Sequence, residues 1–281
     1  MIDGFDYKEP ACALCGGKEF YYPSENAPIG RIPTKRIIEK LDDCFNKNDL
    51  TEAGRLLRHW QKEAQELKDF FGELSIVNEL LGYLRKTGEK EQALLTVERA
   101  KFLIEKLASE KSVSFATIYL NAATTLKAFG KAEEAILLYD KAYDIYQSNK
   151  EQSKDLFAGY YNNRAVALVD LGKFQEAEQC YFNALKWVEQ TENNLLDSAI
   201  TYINMAHLYD IMQNNDKKTD CIFKAYELLN NEKVVQNGYY AFVLSKCAPS
   251  FKYFGYEKIA KHYQLLAEEI YARNRTIWKI L

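Results

Sequence analysis

Tyr119-Leu120-Asn121-Ala122-Ala123, Gly130-Lys131-Ala132-Glu133-Glu134-Ala135, Tyr139 and Ala142 return 42 residues later as Tyr161-Asn162-Asn163-Arg164-Ala165, Gly172-Lys173-Phe174-Gln175-Glu176-Ala177, Tyr181 and Ala184. The register extends in both directions. Ala53, Ala93, Ala135, Ala177, Lys218 and Ala260 stand 40, 42, 42, 41 and 42 residues apart. Seven residues after each stands Trp60, Ala100, Ala142, Ala184, Ala225 or Ala267. A fixed period of this size marks one supersecondary unit written several times and stacked into a solenoid.

Within each unit, apolar residues recur at spacings of three and four, so each half reads as an amphipathic helix. Gly88, Gly130, Gly172 and Gly255 fall between the halves, where glycine ends a helix in a left-handed turn at no steric cost. Ala123, Ala165, Ala206 and Ala248 in the first helix, and the alanines of the second, let the two helices approach closely. Tyr119, Tyr161 and Tyr202 are expected to fill the space between units. Four of the five prolines lie in the first 33 residues, and the next is Pro249. Since proline breaks helix interiors, residues 1–33 read as a loop-rich leader. Ile32-Pro33-Thr34-Lys35 reads as the entry to the first helix. The expected organisation is the leader (1–33), six units (34–71, 72–111, 112–154, 155–196, 197–236 and 237–273) and an apolar tail (274–281).

The quoted pattern resembles that of the tetratricopeptide repeat family: a large residue, a small one four on, glycine after seven more, alanine after five, an aromatic after four and alanine after three. Units three and four match throughout. Unit one departs, with Asn48 for glycine and Trp60 for the last alanine, and unit five has Gln213 for glycine and Lys218 for alanine. The resemblance covers about 240 residues and implies an all-α fold, a right-handed superhelix of about six helix pairs. The usual period in that family is about 34 residues. Eight more, shared by two helices, lengthen each by about one turn, or roughly 6 Å, as in the long-helix variants of kinesin light chains and peptide-pheromone receptors.

The resemblance further implies that the first helix of each unit lines the concave side. In this register Glu39, Glu79, Asn121, Asn163, Asn204 and Lys246 occupy one equivalent position, two before the small residue. The three successive asparagines offer donors and acceptors that suit the main chain of an extended peptide. The candidate binding residues are Asn78, Asn121, Thr124, Asn162, Asn163, Asn204, His207 and Lys246, with Asp210, Lys127 and Lys252 beside them. The alternative reading is that the asparagines bond to the next unit and fix the stacking. Family members that clamp acidic C-termini carry basic residues where this chain has Thr117, Gly159 and Ile200, so that specificity is not implied.

Cys12-Ala13-Leu14-Cys15-Gly16-Gly17 resembles one zinc knuckle. Structural zinc takes four ligands, and the nearest completing candidates are Cys44 and His59. Zinc, an unused pair and a redox pair all stay open for Cys12 and Cys15; no other cofactor is indicated. The remaining cysteines are scattered, which fits reduced thiols in a cytoplasmic chain. The net charge of -3 disfavours nucleic acid and anionic membrane surfaces as partners. No apolar run approaches the ~20 residues that span a bilayer.

His59, His207 and His262 are the only histidines, and no phosphate loop or nucleophile elbow occurs. The chain therefore reads as a non-enzymatic scaffold for a protein or peptide partner. Two alternatives remain. One is a peptide sensor that resembles the pheromone receptors without their effector module. The other is a self-assembling adaptor, for which Arg275-Thr276-Ile277-Trp278-Lys279-Ile280-Leu281 either folds back as the cap of the array or pairs with another chain as a homodimer.

Overall fold

The structure, a computed structural model, describes residues 28–107, 112–150, 156–189 and 194–277, with side chains through Asn274. Twelve helices follow one another, and no strand occurs among the described residues. They are α1 (Thr34–Asn46), α2 (Leu50–Glu66), α3 (Phe70–Thr87), α4 (Lys90–Leu107), α5 (Val113–Ala128), α6 (Ala132–Ser148), α7 (Phe157–Asp170), α8 (Phe174–Val188), α9 (Asn194–Ile211), α10 (Asn215–Leu229), α11 (Gly238–Tyr253) and α12 (Glu257–Ile277). They form six consecutive pairs, an all-α helical repeat. The helices fall into two compact units, α1 to α6 in residues up to 153 and α7 to α12 in residues from 154, with 46–48 counted to the latter. The CxxC pair of the leader and residues 278–281 of the tail lie outside the described residues.

The turn inside each pair is set by backbone chemistry. Gly88, Gly130, Gly172 and Gly255 have φ of 75°, 83°, 71° and 89°. In the two pairs that lack glycine the same turn persists, with Asn48 at φ 53° and Gln213 at φ 57°. A side chain in that region costs roughly 1–2 kcal/mol, so the helix pair imposes the turn on whatever residue occupies the slot. Helix starts are capped by side chains: the Asp49, Asp69, Ser112, Asn214 and Asn237 oxygens accept from backbone amides three residues on. Each satisfies a donor that the helix cannot.

The small positions carry the packing. Ala93, Ala100, Ala123, Ala135, Ala142, Ala165, Ala177, Ala184 and Ala206 are fully buried. Tyr139 and Tyr181, in the aromatic slot of the second helix, are buried with them. Tyr119 and Tyr202 behave differently from the expectation that they fill space between pairs. Each is half-buried and lies under a lysine of its own pair, Lys141 and Lys224, at 5.5 and 5.4 Å from the ring centroid. A phenol at the helix surface keeps its polar end wet and its face covered.

Asp69 does two things at the turn between α2 and α3. It caps α3 through Gly72 N (3.1 Å) and accepts from Ile32 N (3.0 Å). Ile29 N donates to Leu67 O at 2.8 Å, and Ile32 is buried with Leu41 and Leu57 in the same apolar cluster. The last residues before α1 are thus tied down at that turn. Gly72 is required there, because an added Cβ would stand 2.3 Å from the Asp69 carboxylate.

Candidate functional site

From α3 on, the first helices are more deeply buried than the second helices of their pairs, yet polar side chains recur along them. Most bond to the neighbouring first helix, at an offset of one period. In the first unit Asn121 Nδ2, on α5, donates to Asn78 Oδ1, on α3, at 2.8 Å. Arg85 Nη1 donates to Asn121 O and to Thr125 Oγ1, each at 3.0 Å. In the second unit Asn204 Nδ2, on α9, donates to Asn162 Oδ1, on α7, at 3.2 Å. Tyr239 of α11 donates to Asp197 of α9. His207 Nε2 meets Ser250 Oγ at 2.8 Å, and Tyr253 OH donates to Asp210 Oδ2 at 2.9 Å. The offsets of the pairs formed by Asn121, Asn204, Tyr239, His207 and Tyr253, 42 or 43 residues, are the repeat period itself.

The expected site residues therefore divide into groups. Asn78 and Asn121 are buried and bonded to one another, as the stacking reading of the asparagines describes. Thr124 is buried too. Its Oγ1 donates to Leu120 O at 2.8 Å and meets Tyr139 OH at 3.1 Å, which ties α5 to α6. Asn162 and Asn163 are buried side by side on α7. Asn162 accepts from Asn204, but the Nδ2 groups of Asn162 and Asn163 have no hydrogen-bond partner among the described residues. A buried amide donor left unmet costs about 1–3 kcal/mol, so these two mark a place where the packing does not complete the polar inventory.

Asn204, His207 and Lys246 form the remaining group. All three are partly exposed, on α9 and α11. The His207 ring lies 5.4 Å from Tyr253 and 4.7 Å from Phe254. Burial lowers its pKa and Asp210 opposes that shift, so His207 is neutral near pH 7. Lys246 Nζ sits 5.6 Å from the Phe242 ring centroid. Asp210 also takes Lys218 Nζ at 2.9 Å, and its carboxyl is held below the usual range by Lys218 and Tyr253. Lys218 stands where the other units have alanine, which accounts for that departure: its ammonium reaches back to the first helix of its own pair. Sequence reasoning named Asp210 but missed Ser250, Tyr253 and Lys218. Applying the 43-residue offset to His207 and Asp210 leads directly to Ser250 and Tyr253.

Among the described residues no group of three His, Cys, Asp or Glu side chains could hold a metal ion. Cys44 is buried in the apolar cluster, and His59 packs against Trp60 at 5.0 Å. Burial pushes the Cys221 thiol up to about 11 and Cys247 up to about 12, so neither is a thiolate at neutral pH. No described helix is long and apolar enough to cross a membrane.

Residues 116–149 and 158–189 match the model of the tetratricopeptide repeat, so the chain carries repeats of that kind in α5–α6 and α7–α8. No curated protein matches the chain. Among solved structures it is similar to BtubC (BKLC) from P. vanneervenii, with 21% identity over 86% of this chain and 92% of that one, and a TM-score of 0.48. It is also similar to a Podosopora anserina putative kinesin light chain with nearly identical TPR-like repeats, with 14% identity over 70% of this chain and 94% of that one, and a TM-score of 0.46. A single-substitution variant of the latter gives 14% identity, 71% and 95% coverage and a TM-score of 0.46.

Proposed function

We propose that this chain is a non-enzymatic scaffold that binds an extended protein segment or peptide along its first helices, with α7, α9 and α11 carrying the contact. The observation that supports this reading is the incomplete polar row there. Asn204, His207 and Lys246 are partly exposed on the successive first helices α9 and α11, and beneath them the buried Asn162 and Asn163 keep unmet amide donors that a ligand reaches only if the side chains turn outward. In α3 and α5 the corresponding asparagines satisfy each other. Amides suit a ligand main chain, since each offers a donor and an acceptor and reads no side chain. His207, neutral and bonded to Ser250, serves here as a wall rather than as a base.

A randomised peptide array probed with the full chain, followed by calorimetric titration of the strongest binders, tests the proposal. Asn204→Ala is expected to weaken binding about fivefold, one hydrogen bond of about 1 kcal/mol, with unchanged helical content. Asn163→Ala is expected to act in the same direction. Asn78→Ala, in a satisfied pair, is expected to leave the affinity alone. If both Asn163→Ala and Asn204→Ala bind as the parent does, the first-helix row is not the site.

A further inference from the structure

The second helices stand apart from the asparagine row, and one register position on them differs in kind between the two units. Five residues after Ala53, Ala93 and Ala135 stand Arg58, Glu98 and Asp140, all charged. Five residues after Ala177, Lys218 and Ala260 stand Phe182, Phe223 and Leu265, all apolar. These three are 48%, 57% and 55% exposed. Exposed apolar side chains are ordinary when they are scattered. What singles out Leu265, on α12, is the charge around it.

Each of the other five second helices carries an ion pair between residues three or four positions apart. Arg55 pairs with Glu52 on α2, Lys101 with Glu98 on α4 and Lys224 with Asp220 on α10. Lys131 and Lys173, just before α6 and α8, pair with Glu134 and Glu176. Among the described residues α12 carries no such pair. At 100° per residue, Lys258, Lys261, His262, Glu268 and Glu269 lie within about 60° of the direction of Leu265, and all five are exposed. None of the five is hydrogen-bonded or ion-paired to a described residue. The bases stand before Leu265 and the acids after it, six to eleven residues apart. Pairing along one helix needs a spacing of three or four, so these charges are too far apart to satisfy one another.

A face with this order of charge is complementary to an antiparallel copy of itself. In a two-fold contact, residue i meets j and j meets i. With the axis at Leu265, positions equally far from it on either side face one another. Lys261 and Glu269 each stand four residues from Leu265, and His262 and Glu268 each stand three. We propose that two copies of this chain associate through α12, antiparallel about Leu265. Lys261 of each copy then lies against Glu269 of the other, His262 against Glu268, and the two Leu265 side chains meet at the centre. A parallel pairing would set Lys261 on Lys261 and Glu269 on Glu269, so the charges fix the orientation as flanking charges do in coiled coils. One helix against one helix buries less than the roughly 1,200 Å² of a standard interface, which places the dimer in the weak, transient class.

Sedimentation velocity of the full chain from about 5 μM to about 500 μM covers the range in which so small an interface titrates, and a monomer–dimer equilibrium is expected. Lys261→Glu and Glu269→Lys each place like charges together twice in the dimer, and each is expected to weaken it about tenfold. Mixed in equal amounts, the two variants regain both opposite-charge pairs and should form a heterodimer about as strong as the parent dimer. The double variant Lys261→Glu with Glu269→Lys should recover the same strength by itself. Leu265→Glu is expected to remove association, and Phe182→Glu, at the same register position of α8, is the control that should leave it unchanged. All of these positions are exposed, so circular dichroism should show the helical content of the parent throughout. A chain that stays monomeric over the whole range, single charge variants that dimerise as the parent does, or a mixture no stronger than its components would each overturn the proposal.

Discussion

The ion pair between Glu73 and Arg99 gives the sharpest test of how the first helix pairs are held together. Glu73 lies in the first turn of α3, and its side chain is wholly buried. Arg99 grips it from α4 through Nε–Oε1 at 2.8 Å and Nη2–Oε2 at 2.7 Å, and Gln65 of α2 adds Nε2–Oε1 at 2.7 Å. Three successive helices thus converge on one carboxylate. Removing one partner of a buried pair costs about 3–5 kcal/mol because the other charge is stranded. Arg99 is one-third exposed, so water can follow it in. The Gln65 bond and the helix N-terminus would still stabilise the remaining negative charge. Arg99→Met should therefore cost about 2–3 kcal/mol, below that range. Glu73→Gln keeps one acceptor and should cost about 1–2 kcal/mol. The double change Glu73→Met with Arg99→Met removes both charges and should be nearly neutral, a coupling of about 2 kcal/mol or more. Urea unfolding followed by circular dichroism, with hydrogen exchange of the α3 amides as a local readout, measures this cycle. If Arg99→Met costs under about 0.5 kcal/mol, the pair behaves as an ordinary surface contact. If the double variant is as unstable as Arg99→Met, the loss comes from packing. Either result would refute the reasoning.

Two further outcomes follow from the geometry. Gln213→Gly relieves a side chain held at φ 57° and should raise stability by about 0.5–1 kcal/mol. Gly130→Ala, at φ 83° with nothing within 4 Å of the added Cβ, should lower it by about 1 kcal/mol on backbone grounds alone. Thermal unfolding of the two variants should therefore shift in opposite directions, and a shared sign would contradict the assignment of one common turn. His207 has a folded pKa lowered by burial, so the unfolded chain binds its proton more readily. The stability it contributes is present above its ordinary value near 6.5 and is lost as pH falls through the lowered folded value. Unfolding free energy measured between pH 7 and 5 should fall less steeply in His207→Gln than in the parent; identical slopes would show that His207 is not the group responsible.

The fold was legible because a repeat writes its own alignment. The 42-residue register placed the buried alanines, the aromatic slots of the second helices and the turns. It placed even the left-handed turns at Asn48 and Gln213, where the sequence departs from glycine. A local departure could not break the pattern, since the backbone there is dictated by the helices on either side. The tyrosines of the first helix were less legible. A large residue at a repeat position can fill the gap between pairs or lie on the surface under a lysine, and periodicity carries no information on which. The leader's docking onto Asp69 was not legible either, because it depends on a capping side chain 37 residues away that has no counterpart in the repeat.

The polar row shows the same division more clearly. The register picked out the asparagines of the first helices, but it treated residues at one equivalent position as a set: Asn121, Asn163 and Asn204. The structure pairs them across a one-position stagger, Asn78 with Asn121 at an offset of 43 and Asn162 with Asn204 at 42. A helix in such an array touches one neighbour on each side, so a residue that faces the preceding helix and a residue that faces the following one cannot occupy the same angular position. They are displaced by about one residue, or 100° of helix: Asn78 and Asn162 face the following first helix, Asn121 and Asn204 the preceding one. Once Asn162 accepts from Asn204, what separates a stacking residue from a candidate ligand contact is the supply of acceptors. Asn78 gives its oxygen to Asn121, and its Nδ2 donates to Glu79 Oε1 at 3.3 Å. The amide of Asn162 finds no such neighbour, since the position after it holds Asn163 where α3 has Glu79. Where α3 has a glutamate that only accepts, α7 has an asparagine that brings a second amide donor of its own, and both Nδ2 groups are unmet; that difference can be read in the sequence once the stagger is known.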